Sequence, residues 1–220
     1  MDRALICFTR APLPGRTKTR LQPVLSGAAC AALHTAFLLD IAQVCRQAAA
    51  ALYVAYAPEG GQGRLPELFP SARALFPQEG ADLGARMAAA LDRVLALGYS
   101  PCVLIGSDLP LLTPGHLEGA FQALERADAT LGPTADGGYY LVGLRESCPA
   151  LFTGKRYGCG DVYGDAVAAL QAAGVSFAPA PACPDVDIPE DLAALRRALA
   201  GSRSHTARCL ERIFPTGGCL

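Results

Sequence analysis

Four consecutive apolar residues, Cys102-Val-Leu-Ile105, constrain this chain more than any other stretch. A strand with one wet face alternates apolar and polar residues. A run that is apolar throughout is buried on both faces, as in the middle of a parallel sheet. Parallel strands need long crossover connections, usually helical. The rest of the chain supplies them. Strands are expected over residues 3–9, 52–57, 129–132, 139–143 and 175–177, and helices over 26–50, 81–97, 114–126, 162–173 and 189–199. Ser26 and Thr113 suit N-caps, and Leu83, Met87, Leu91 and Leu95 share one helical face that Gly98 closes. This alternation implies a three-layer α/β/α sandwich around a mostly parallel mixed sheet. Residues 1–200 read as a single domain, and 201–220 as a peripheral tail.

Composition narrows the function classes. The 220 residues are 51% hydrophobic and 18% charged, which describes a folded globular chain. A net charge of −1 argues against broad nucleic-acid or membrane-surface binding. No uninterrupted apolar stretch reaches the length of a membrane span, and the first residues lack a signal-peptide core, so a cytoplasmic protein is expected. Nine cysteines form no C-x-x-C pair, so neither a zinc site nor a disulfide framework is expected. Cys7, Cys45 and Cys102 read as small core residues, and Cys159, between two glycines, is the one thiol to watch.

In open α/β sheets ligands bind beyond the carboxyl ends of the strands, and three loops there carry chemistry. The first is Ala11-Pro-Leu-Pro-Gly-Arg-Thr-Lys-Thr-Arg-Leu21. Pro12 and Pro14 stiffen it, Gly15 lets a ligand approach the backbone, and Arg10, Arg16, Lys18 and Arg20 offer cations to phosphate oxygens. On this reading loss of Lys18 or Arg20 should weaken nucleotide binding while barely changing the stability of the ligand-free protein. The spacing matches neither a P-loop nor a dinucleotide fingerprint. The second loop, Gly106-Ser-Asp-Leu-Pro110, puts a carboxylate at the tip of the buried strand, where Asp108 suits a divalent metal or a helix cap. The third, Asp185-Val-Asp-Ile-Pro-Glu-Asp191, offers Asp187 either as a second metal ligand or as an N-cap before Pro189. A fourth stretch, Gly132-Pro-Thr-Ala-Asp-Gly-Gly-Tyr-Tyr140, suits close approach to a hydroxyl-bearing second substrate. None of His34, His116 and His205 belongs to a visible triad.

Together with Asp82-Leu-Gly-Ala-Arg-Met87, these ordered motifs resemble the bacterial GT-A-fold glycosyltransferases known as radical-SAM/selenodomain-associated or arsenosugar-biosynthesis enzymes. Those are similar in turn to molybdenum-cofactor and 2-phospholactate guanylyltransferases. The resemblance implies a nucleotide-diphospho-sugar transferase fold, Rossmann-like, with Arg10, Pro12, Gly15, Arg16, Lys18 and Arg20 around the phosphates. It places Gln78, Gly84 and Arg86 against base and ribose, and Mg2+ or Mn2+ on Asp108 and Asp187. Asp136, Gly137, Gly138 and Tyr139 would meet the acceptor, with Asp136 orienting or deprotonating its hydroxyl. Asp108 and Lys18 complete the catalytic set. The chain departs from the pattern at Arg10, where Lys is usual, at Leu111, where an acid is common, and at Tyr157, where Trp is expected.

Two reactions fit: sugar transfer from a nucleotide-diphospho-sugar to a small hydroxyl-bearing acceptor, or transfer of a nucleotidyl group from an NTP to a phosphorylated molecule. A non-catalytic nucleotide-binding module fits the two carboxylates least. Small-molecule partners are expected, without nucleic acid or membrane, and a homodimer is compatible with the chain.

Overall fold

The computed structural model describes residues 3–158 and 160–215. Its centre is a six-stranded sheet of β1 (Ala4–Thr9), β2 (Ala51–Tyr56), β3 (Ala74–Pro77), β4 (Cys102–Ile105), β5 (Ala129–Pro133) and β6 (Tyr139–Leu144), in the order β3-β2-β1-β4-β6-β5. β1 pairs in parallel with β2 and β4, and β2 with β3, while β6 runs antiparallel between β4 and β5. The sheet is therefore mixed and mostly parallel, as the sequence implies.

Alternation along β1 and β4 builds two cores. Leu5, Cys7, Val103 and Ile105 pack against α1 (Gly27–Cys45) and α4 (Pro114–Ala123) through Leu38, Ile41, Leu117 and Phe121. Ala4, Ile6, Cys102 and Leu104 face the other way, onto Met87, Leu91 and Val94 of α3 (Leu83–Leu95) and Leu170 of α5 (Val162–Ala172). Each fully buried Leu or Ile contributes about 1.5–3 kcal/mol, so the central strands hold the layers together. The seven described cysteines are all buried, whereas Cys159 and Cys219 lie outside the described residues.

A third cluster covers the outer side of α1. Cys30, Leu33 and Phe37 meet Leu192 and Leu195 of α6 (Pro189–Ala198) and Cys209 and Leu210 of α7 (His205–Ile213). Asp40 fastens α7 by accepting from the amides of His205 and Thr206, each at 2.8 Å. Residues 205–213 are thus part of the fold, not the peripheral tail expected from composition. α1 is long and apolar enough to cross a membrane by length and composition, and here it is a core helix packed on both sides.

Other elements depart from expectation for local reasons. α1 stops at Cys45 instead of continuing to 50, because Gln47 and Ala48 turn back to Val44 and Cys45 and Ala51 must pair with Arg3. β3 and the single turn α2 (Leu65–Leu68) carry no visible period, since only Phe76 is buried in β3. The strand expected at 175–177 reduces to one bridge between Phe177 and Ala129. Beyond it Ala178 and Ala180 still donate to Ala129 and Leu131 of β5, at 3.1 and 3.0 Å. The interleaved Pro179 and Pro181 have no N–H to extend a ladder. This lashed segment delivers residues 183–187 to the loop after β4, where the Val186 amide donates to the Asp108 carbonyl at 2.9 Å.

Candidate active site

β1 has β2 on one side and β4 on the other, so chain connections diverge at its carboxyl end and leave a crevice there. The loops after β1 and β4 form its walls. Thr17 knits the first loop, its hydroxyl donating to the Ala11 carbonyl and accepting from the Leu13 amide, both at 3.0 Å. The next residue, Lys18, is the one described non-glycine with left-handed backbone, at φ 52°. Such backbone is costly for a side chain with a Cβ and persists only where the surroundings fix it.

The surroundings are acidic. The Lys18 side chain is 2% exposed, its ammonium pairs with the Asp108 carboxylate, and it donates to the Val186 carbonyl at 2.5 Å. Arg20 pairs with Asp187 at 2.5 Å. The two cations expected to meet phosphate are therefore engaged with the two carboxylates expected to hold metal, and the Lys18 side chain is buried. Desolvation opposes ionisation of Asp108, but Lys18, His34 and Arg10 outweigh it and hold its carboxyl below the ordinary range.

His34, which sequence reasoning set aside, sits beneath this pair. Its Nε2 lies 3.3 Å from the Arg10 carbonyl and 3.4 Å from the Thr9 hydroxyl. Nδ1 is buried without a hydrogen-bond partner, 3.9 Å from Asp108. Burial pushes the ring down to about 4, so it is neutral near pH 7. A lone histidine inside an apolar helix is the only sequence signal that marks it.

Two cavities open at this crevice. The larger, of about 590 Å3, is lined by Arg10, Arg16 and Arg86 with Glu59, Asp82 and Gln78. Arg86 donates to Glu59 at 2.6 Å and Arg16 to the Glu59 carbonyl at 3.2 Å, which braces the mouth. The smaller, of about 280 Å3, is walled by Phe8, Tyr139, Tyr140 and Tyr157 and carries Asp136 and Asp185. Gly106, Ser107 and Asp108 border both.

The expected residues divide accordingly. Arg10, Arg16, Gln78 and Arg86 line the large cleft, though the Gln78 amide nitrogen is committed to the carbonyls of Thr9 and Ala55 at 2.9 and 3.0 Å. Pro12, Gly15, Lys18 and Arg20 line neither cavity. Gly84 also lines neither: a Cβ there would lie 2.6 Å from the Phe152 carbonyl, so it is a packing glycine of α3.

Around the small pocket Asp136, Gly138 and Tyr139 are in place, and Gly137 turns the hairpin at φ 85°. Asp136 Oδ1 accepts from the Thr134 hydroxyl at 2.5 Å and the Gly138 amide at 3.1 Å. The Thr134 bond leads in holding this carboxyl below its ordinary value. Tyr139 and Tyr157 meet hydroxyl to hydroxyl at 3.2 Å.

Neither Asp108 nor Asp187 serves as a helix cap, and Thr113 takes the role expected of it. Thr113 caps α4 with His116, and Asp191 caps α6 by accepting from the amides of Asp187 and Ile188. Asp108 and Asp187 are left for ionic work. Asp185, passed over in the sequence, faces the small pocket, and burial followed by Asp136, Asp187 and Asp108 pushes its carboxyl up.

The fold recurs in solved structures. A protein from Desulfovibrio desulfuricans G20, described provisionally as a nucleotide-diphospho-sugar transferase, is 35% identical over 96% of this chain and 95% of its own, with a TM-score of 0.87. CMP:2-keto-3-deoxy-manno-octonic acid synthetase complexed with CTP is 13% identical over 91% of this chain and 99% of its own, at TM-score 0.57. A cytidylyltransferase from Leptospira borgpetersenii is 14% identical over 97% and 94%, also at 0.57, and like the synthetase it speaks for the fold alone. No curated protein matches. The family model for DUF2064, described as an uncharacterized protein conserved in bacteria, matches residues 39–159, and the chain belongs to that family.

Proposed function

We propose that this protein is a transferase that takes a nucleotide-diphospho-sugar in the large cleft and passes the sugar to an acceptor hydroxyl in the small pocket. One observation carries the reading. Two cavities of unequal size and different lining meet along Gly106, Ser107 and Asp108, at the carboxyl ends of β1 and β4. A transfer reaction needs two substrates side by side with the transferred group over the shared edge.

Arg10, Arg16 and Arg86 offer the large cleft charge-assisted donors for the phosphates. Lys18 holds Asp108 at the shared edge. The Asp136 carboxylate, fixed by Thr134 and Gly138 through Oδ1, positions an acceptor hydroxyl by accepting its proton in a hydrogen bond.

Two carboxylates are the donor chemistry a hard divalent cation takes, although Asp108 and Asp187 are each paired with a cation here, Lys18 and Arg20. Asp108 and Asp187 would hold it, with water and phosphate oxygens completing a shell to which proteins usually give one or two carboxylates. Bound there, Mg2+ or Mn2+ supplies positive charge to the leaving diphosphate. Nucleotidyl transfer to a phosphorylated acceptor fits less well. Among the described residues of the small pocket there is no Lys, Arg or His to meet a phosphate.

A thermal-shift panel of UDP-, GDP- and dTDP-sugars and NTPs, with and without Mg2+, tests the reading, because a ligand that binds only the folded state raises the melting temperature. Stabilisation by one nucleotide-sugar is expected. Stabilisation by an NTP alone, with pyrophosphate released on adding a phosphorylated acceptor, overturns it.

A further inference from the structure

The small pocket has a composition that the transfer reaction does not explain. Its floor and walls are apolar and aromatic, with Phe8, Tyr139, Tyr140 and Tyr157 among them. Its charged groups are all carboxylates: Asp108, Asp136 and Asp185. The large cleft beside it sets three arginines among the carboxylates of Glu59, Asp82 and Asp108, so of the two linings only this one carries cations.

The carboxylates are unequally answered. Asp108 has Lys18 behind it, and Asp136 is hydrogen-bonded to Thr134 and Gly138. Asp185 has no ion pair among the described residues and faces the other acids. An unpaired, partly buried charge costs stability unless a bound cation answers it.

Two kinds of cation are candidates. A metal ion needs its ligands converged on one point, and among the described residues no three His, Cys, Asp or Glu side chains do so. The acids instead surround a cavity of about 280 Å3 that aromatic rings share. Rings and separated carboxylates together suit an organic cation, whose charge is spread over carbon-bearing groups and attracted by ring faces.

We infer that the acceptor of this enzyme is a small hydroxyl-bearing organic cation, an amino- or onium-alcohol, held in the small pocket by Asp136, Asp185 and the surrounding tyrosines. The inference rests on the transferase reading for the word acceptor, and on the pocket alone for the charge. The cation sits in the pocket lined by acids alone and the diphosphate in the cleft that holds the arginines. The two substrates then attract one another across Asp108, and an anionic competitor is repelled from the acceptor side.

Amide NMR of the full chain tests this with three probes of similar shape. Choline carries the charge, 3,3-dimethyl-1-butanol is its neutral carbon isostere, and phosphocholine adds a phosphate. Choline is expected to shift the amides of Gly106, Gly138 and Tyr139 and to bind at least about tenfold more tightly than the neutral alcohol, the order of a partly desolvated cation–π and ionic contact. Phosphocholine is expected to bind more weakly still. Asp185→Asn should erase most of the preference for choline over the alcohol, and the wild-type comparison stands even if that variant fails to fold.

Equal binding of choline and the alcohol, tighter binding of phosphocholine, or no choline-induced shift overturns the inference. Nucleotide-sugar binding is measured in the same samples. Its failure with choline bound sinks the transferase reading and leaves the pocket's charge preference standing, and the converse result does the opposite.

Discussion

The ammonium of Lys18 and the carboxylate of Asp108 are locked together, with the Val186 carbonyl as the second acceptor of the same ammonium. Lys18 also lies 5.4 Å from the centre of the Phe37 ring. A lysine so placed is part of the folded frame before any nucleotide arrives. Lys18→Ala should therefore lower the melting temperature of the ligand-free protein, by about 1–3 kcal/mol of stability. That is below the usual cost of breaking a fully buried pair, because Asp108 is 43% exposed and water screens the charge left behind. An unchanged melting temperature would return Lys18 to the role of a solvent-facing phosphate ligand.

Arg16 and Arg86 should behave in the opposite way. Both line the large cleft, and their bonds to Glu59 lie at the surface. Alanine at either position is expected to weaken nucleotide binding by about 1–3 kcal/mol, the range for charge-assisted hydrogen bonds, while the unliganded protein melts as before. Calorimetric titration against a nucleotide-sugar measures this. Full affinity in both variants would move the phosphates out of the cleft.

Asp108→Asn keeps the shape of the side chain and removes its charge. Because Thr113 and His116 already cap α4, the variant loses no cap. Mg2+-dependent nucleotide binding and turnover should disappear. Retention of the parent's Mg2+ dependence would show that Asp108 holds no metal.

His34 gives the protein a built-in acid sensitivity. Burial lowers its pKa from 6.5 to about 4, so below about pH 6.5 the unfolded chain takes up a proton that the native state refuses. Stability should therefore fall as the pH drops from 6.5 toward 4 and level off below that. The total from this one group is on the order of 3 kcal/mol. His34→Gln should flatten the profile over that window. A variant whose urea midpoints track the parent's from pH 7 to pH 4 would assign the sensitivity to other groups.

The fold was legible wherever packing imposed a period. Cys102–Ile105 announces a doubly buried strand, and Leu83, Met87 and Leu91 announce a helix. β3 was not legible, because a four-residue edge strand with one buried side chain shows no alternation. α7 was missed because its buried face, Ala207, Cys209 and Leu210, lies in a polar and basic stretch. At the candidate site the structure brings the expected loops to one crevice, but with partners the sequence did not show. Basic residues near an expected phosphate look like phosphate ligands, but only tertiary contact shows that Lys18 and Arg20 face Asp108 and Asp187. Asp185 and Asp187 differ in position by two, and no local pattern says which will face the cavity.

The proline-spaced stretch along β5 has a consequence for the molecule as a whole. A sheet's last strand ordinarily offers a row of bare backbone groups that another chain can zip onto. Here Ala178 and Ala180 occupy that row with their own amides. The interleaved Pro179 and Pro181 have no N–H to offer a further strand. The segment that carries the acids to the crevice also ends the sheet, and growth from that edge is blocked by covalent structure, not by surface charge.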